Sequence, residues 1–331
     1  MKRRLQPVTW LAVLVWLVVA GPWPVAAQGG DQPAANIVEG CVETYDPAVN
    51  YFPEQVAFEY ASGVEVEYFN HYKVVTVTRP WPGAAEADAF RYVLVQCGTP
   101  APAGFPEATV IEVPIRRTIT ISTTQLPHIV ALDALDALIG VGTIAYVNAS
   151  EVVEKYEAGE LIEIGDAFDP SMVNIELVLD AEPDVVMAYG SGFPDYDAYP
   201  HLVEAGIPVA MNADHAEASP LGRAEWIKFT ALFFNREAAA NAVFEGIVQA
   251  YQELATLTAD IPEADKPLVL LNSYNTWSEA WALPGSATFV GQLMRDAGAR
   301  LVLGDDPLVV GNDGSAQVAG EGANEAGLEA A

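Results

Sequence analysis

Basic residues are scarce in this sequence: fifteen Lys and Arg stand against forty-five Asp and Glu, a formal charge of −30 over 331 residues. Binding a phosphate backbone needs clustered Lys and Arg, so nucleic acid is excluded as a partner. The acidic surface reads as a solubility device. Histidine is scarcer still. His71, His128, His201 and His215 lie far apart, and only Asp214-His215-Ala216-Glu217 groups metal-ligating side chains locally. Contiguous side chains seldom converge on one ion, so no metal site is expected. The plainer reading is a solvated loop before a helix starting at Ser219-Pro220. Catalytic signatures are missing as well. There is no Gly-x-Ser-x-Gly elbow, no His-Glu-x-x-His and no phosphate loop, and Gly190-Ser191-Gly192 lacks the elbow spacing. Neither an enzyme nor a cofactor is expected.

Long apolar runs are missing too. The run from Trp10 to Ala20 is too short to span a bilayer. It follows Lys2, Arg3 and Arg4 and precedes the small residues Val25-Ala26-Ala27, so residues 1–27 read as a removed secretory signal, with an uncleaved anchor as the alternative. No Cys follows the run, which gives no support to a lipid anchor. The expected location is periplasmic or extracellular. Cysteine is limited to Cys41 and Cys97. Outside the cytoplasm they can form a bridge closing a loop of about 57 residues, worth roughly 4 kcal/mol in the chain-entropy model. The alternative is a pair of buried thiols.

What is present is apolar bulk, 51% of residues, enough for large cores, in a chain long enough for two domains. Residues 36–117 read as a β-rich leading segment: Val64 to Tyr68 alternates, Tyr72 to Val77 is β-branched, and Pro80-Trp81-Pro82-Gly83 turns before Phe90 to Gln96. The period then changes. Between 118 and 234, strands at Thr118 to Ser122, Leu138 to Val141, Asp184 to Ala188 and Pro208 to Met211 alternate with helical stretches, which implies a parallel sheet. Ligands on such sheets bind beyond the carboxyl ends of the strands. From Asn235 to Asp260, Ala240, Val243, Phe244, Ile247, Tyr251 and Leu254 recur at intervals of three and four. This predicts one helix, capped by Asn235, stopped by Pro262 and long enough to link two lobes.

Ser122-Thr123-Thr124-Gln125-Leu126-Pro127, Leu138-Ile139-Gly140-Val141-Gly142, Asn174 to Leu179 running into Glu182-Pro183-Asp184-Val185-Val186, and Leu202 to Val209 form an ordered series. Together with Tyr274 to Ala299, the series resembles the substrate-binding proteins of ABC importers for ferric siderophores and cobalamin. The resemblance covers roughly residues 118–303. It implies an α/β protein of two lobes with parallel sheets joined by one long helix, with a ligand between the lobes. It also implies an ABC permease as partner, which Glu176 of the first lobe would meet; the alternative role for Glu176 is a first-turn charge on the helix dipole. A surface sensing or adhesion module that keeps the fold without transport is the competing class.

The sequence departs from the family at its end. Residues 267–310 hold only part of the strand-helix units of a second lobe, so that lobe is expected to be truncated. Residues 311–331 are too poor in large aliphatics to order themselves. Four loops are expected to face the cleft, Ser122 to His128, Thr143 to Asn148, Tyr189 to Tyr199 and Asn272 to Trp281, and none contains Lys or Arg. They offer Thr123, Thr124, Tyr146, Tyr189, Phe193, Tyr274, Trp277 and Trp281 to a ligand; for Trp277 and Trp281 a core position is the equal alternative. Without a basic residue the site suits a complex of small net charge, such as a ferric hydroxamate siderophore or a cobalamin.

Overall fold

The computed structural model describes residues 32–165, 172–271, 273–275, 280–310 and 315–319. The leader at 1–27 lies outside them. The first sheet has the order β1 (Val64–Tyr68), β2 (Tyr72–Val77), β3 (Phe90–Gln96) and β4 (Thr109–Val113), antiparallel except for the parallel pair β3–β4. Val75, Val77, Tyr92 and Leu94 bury one face in the main core, while Val74, Val93 and Val95 bury the other in a small cluster with Tyr72 and Phe105.

The second sheet comprises β5 (Thr118–Thr120), β6 (Leu138–Val141), β7 (Ile162–Glu163), β8 (Val185–Ala188) and β9 (Val209–Met211), all parallel, in the order β7-β6-β5-β8-β9. β5, β8 and β9 are buried along their whole length, as parallel strands covered on both faces must be. Helices α1 (Leu126–Ala131), α2 (Ser150–Glu157), α3 (Ile175–Asp180) and α4 (Tyr199–Glu204) make the connections. The chain starts in the middle at β5, builds outward to β7, then crosses to β8. The strand order therefore reverses between β5 and β8, where parallel sheets open a crevice at their carboxyl ends.

Helix α5 (Pro220–Phe234) is buried all round, and Trp226, Phe229 and Phe233 place it in the one core shared by both sheets. Tyr92 of β3 packs its ring 6.1 Å from Phe233, and its hydroxyl accepts the Met211 N–H of β9 at 2.9 Å. Two carboxylates on and beside α5 hold the backbone of the leading segment. Glu225 accepts the N–H groups of Tyr60 and Ala61 at 2.7 Å each, and Glu217 accepts those of Ser62 and Gly63 at 2.8 and 2.9 Å. The β-rich segment is thus part of the first lobe's core.

Helix α6 (Glu237–Thr256) is a single element, but it starts later than the sequence suggests. Asn235 is the left-handed C-cap of α5, with φ 56°, and its side chain is buried instead of capping α6. The Asn235 amide donates to Ile37 O and Gln96 Oε1, and its oxygen accepts from Lys73. The apolar stripe is covered only at its start: Ala240 and Phe244 are buried, while Leu254 is 66% exposed because no core reaches that far. At the far end, Tyr251 donates to Asp296 Oδ2 at 2.7 Å, which ties α6 to α7 (Phe289–Asp296).

Beyond α6 the expected parallel arrangement is only partly present. β10 (Leu268–Val269) pairs in parallel with β13 (Arg300–Leu301), while β11 (Ser273–Asn275), β12 (Ala280–Pro284) and β14 (Ser315–Ala319) form an antiparallel sheet, and α8 (Pro307–Val310) precedes β14. Ser315–Ala319 corrects the expectation of a wholly unordered 311–331, since a ladder bonds through backbone groups and needs no large side chain.

Candidate functional site

At the reversal point the carboxyl ends of β5, β6, β8 and β9 surround a cleft of about 460 Å³. Ser122 follows β5 and bends the chain: its hydroxyl accepts the Thr124 N–H at 3.3 Å and meets Thr124 Oγ1 at 2.9 Å, leaving Thr123 and Thr124 exposed at the rim. After β6, Gly142 and Thr143 lead into a turn carrying Tyr146, 53% exposed. Glu163 fixes that turn by accepting the Ile144 N–H at 3.1 Å. Tyr189 follows β8, with its ring 6.1 Å edge-on to that of His215, which together with Asp214 follows β9.

The loop after β8 is held from both sides. His215 Nε2–H donates to Gly190 O at 3.0 Å, and Asp197 accepts the Ser191 N–H at 2.8 Å. From the leading segment, Trp81 packs against the loop. A Cβ on Gly190 would come within 2.9 Å of the indole, and one on Gly192, at φ +83°, within 2.8 Å. Both positions therefore require glycine. Burial lowers the His215 pKa, with Asp214 opposing, so the ring is neutral at pH 7.

A family model described as periplasmic binding protein matches residues 119–328, more than half of the chain. The chain belongs to the periplasmic binding protein family. Members of this family are solute-binding proteins, not enzymes. Two uncharacterized lipoproteins of Methanocaldococcus jannaschii are each 28% identical to this periplasmic binding protein. One aligns over 61% of this chain and 50% of its own length, the other over 46% and 38%. The chain thus spans about half or less of the curated relatives it matches. Among solved structures, a possible iron-binding periplasmic solute-binding protein of Staphylococcus epidermidis has TM-score 0.50 and 16% identity, covering 64% of this chain and 74% of that one. A periplasmic binding protein of Veillonella parvula has TM-score 0.50 and 17% identity, covering 76% and 70%. At such identities the likeness is one of fold.

Of the residues singled out from sequence, Thr123, Thr124, Tyr146 and Tyr189 line the cleft of this periplasmic binding protein. Phe193 does not: it sits 67% exposed ahead of the turn Pro194–Tyr196. Tyr274 and Trp281 face each other across β11 and β12, rings 5.2 Å apart, outside the cleft lining. Trp277 lies outside the described residues. Glu176 is exposed in the first turn of α3. Cys41 and Cys97 are bonded to each other. Asp214 and His215 were the surprise. Read as a solvated loop, they line the cleft, while neighbouring Glu217 turns away toward Ser62 and Trp226. No grouping of three or more His, Cys, Asp or Glu fit for a metal occurs among the described residues.

Behind the cleft, His128 of α1 meets Thr230 of α5 at 3.1 Å, and burial lowers its pKa from 6.5 to about 4, with Asp214 opposing. The folded chain therefore holds this ring neutral where the unfolded chain would charge it. As pH falls from about 6.5 toward 4 the unfolded state gains a proton that the folded state refuses, so stability drops through that window and levels off below it. Urea midpoints over this range should fall more steeply for the wild type than for His128→Gln. Parallel slopes would show that the ring is not held neutral.

Proposed function

We propose that the protein is the extracytoplasmic substrate-binding component of an ABC importer, and that its ligand is a ferric siderophore of the hydroxamate type. The observation that carries the ligand class is the lining of the cleft. Hydroxyls and tyrosines surround a space of ordinary ligand size, and no Lys or Arg is among the lining residues. A strongly anionic catecholate complex would be buried there without a partner, whereas a complex of small net charge with apolar edges fits hydroxyls and ring faces. The Cys41–Cys97 disulfide and the lipoprotein relatives favour a place outside the cytoplasm. Among the described residues no helix is long and apolar enough to cross a membrane.

Intrinsic Trp fluorescence, titrated with ferric hydroxamates, ferric catecholates, cobalamin, haem and divalent metals, tests the reading. Saturable binding of a ferric hydroxamate is expected. A response confined to catecholates or bare metals overturns the ligand class, and one confined to cobalamin or haem replaces the iron complex. Docking is tested in the same series: Glu176→Ala should bind the ligand as before but slow uptake in cells carrying the permease. Unchanged uptake removes Glu176 from docking.

A further inference from the structure

The floor of the cleft carries one charge, and its sign is negative. The Asp214 carboxylate lines the cavity with its side chain only 15% exposed, and no described residue donates a hydrogen bond to it; His215 Nδ1 stands 3.9 Å away. His215 spends its Nε2–H on Gly190 O, so the neutral ring turns a bare nitrogen lone pair toward Asp214. Arg223 is the nearest cation, but its Nη2 donates to His215 O, its Nε donates to Glu217 O, and its guanidinium stacks 4.0 Å over the Phe289 ring. It offsets part of the charge without occupying the acceptors. Thr120 lines the same cavity from β5, two strands away; its Oγ1 is buried and has no partner among the described residues. A carboxylate and an imidazole nitrogen thus stand together after β9 in an otherwise uncharged lining, and both can accept.

We propose that this part of the cleft is a subsite for a protonated amine on the ligand, bound through Asp214 and His215. The inference rests on the reading of the cleft as a siderophore site and narrows it to complexes that carry a cationic side arm. An ammonium, all donors and no acceptor, is complementary to both groups. Its attraction to a carboxylate is strengthened where water is excluded. The chain's −30 charge also draws cations toward the protein before contact.

The test uses a matched pair: a linear ferric trihydroxamate with one terminal primary ammonium, and the same complex N-acetylated at that amine. Calorimetry should give about tenfold tighter binding of the ammonium form, the size of one charged hydrogen bond. Asp214→Asn, isosteric and removing no internal hydrogen bond of the described residues, should bring the ratio of the two dissociation constants close to one. Thermal unfolding of the variant checks that it folds. Equal binding of both complexes to the wild type overturns the ammonium subsite and leaves the siderophore reading standing; failure of both to bind overturns the two together. A preference for the ammonium form that survives Asp214→Asn also overturns the assignment, placing the cation elsewhere.

Discussion

Replacing Lys73 by Met should lower the stability of the folded chain by about 3–5 kcal/mol, a large part of the 5–15 kcal/mol typical of a whole domain. Lys73 and Glu237 are each 0% exposed, with Nζ and Oε1 2.7 Å apart. The ammonium also donates to Leu232 O at 2.6 Å and Asn235 Oδ1 at 2.9 Å and lies 4.5 Å from the centre of the Phe52 ring. Burial pulls the Lys73 pKa down, with Glu237 opposing the shift. Methionine fills the space and leaves Glu237 with the Asn36 amide as its remaining donor among the described residues. Urea denaturation followed by circular dichroism gives the loss directly. The double variant Lys73→Met, Glu237→Gln should lose less than the single one, because no unpaired charge remains. A single variant within about 1 kcal/mol of wild type would mean that water or a proton reaches Glu237.

Removing the disulfide, by Cys41→Ser with Cys97→Ser, should cost about 4 kcal/mol, since the bridge closes a loop between residues 56 apart. The segment before β1 contains no helix or strand of its own among the described residues. In the folded chain it is held, besides the bridge, by the Val42 N–H bond to Cys97 O at 2.9 Å, by the side-chain contacts of Asn36, and by Glu225 and Glu217 on the backbone of Tyr60 to Gly63. Loss of the bridge therefore frees a long stretch of chain in the unfolded state while costing few contacts in the folded one. A shift of the urea midpoint with an unchanged slope is the expected result. A shift below about 1 kcal/mol would show that the unfolded chain is already held compact.

The strands and short helices were legible because burial on a sheet or helix face leaves a period in the sequence, as in Val64–Tyr68 and the run to Val185–Ala188. The loops after β5, β6 and β8 were legible for a related reason: they follow strands of a parallel sheet, so Thr123, Thr124, Tyr146 and Tyr189 could be placed without coordinates, whereas Tyr274 and Trp281, in an antiparallel pair, lie outside the cleft lining. Asn235 was misread because a helix N-cap and a left-handed C-cap favour the same residue, and the partner that decides between them, Lys73, is 162 residues away. Asp214 and His215 look like any polar turn until β9 is seated beside β8. Nor could sequence show Trp81 against Gly190 and Gly192, a contact between segments about a hundred residues apart.

The carboxylates of Glu217 and Glu225 hold backbone amides 154 to 166 residues earlier in the chain. A ribosome adding 5–20 residues per second delivers those amides roughly 8–30 s before the groups that bind them. Throughout that interval β1 to β3 can pair as a meander, but their inner face has no α5 to cover it and Lys73 has no counter-ion. The first sheet therefore stays uncovered on that face for the interval, and contacts of such long range make its closure slow. The lag leaves the front of the molecule pliable for that interval.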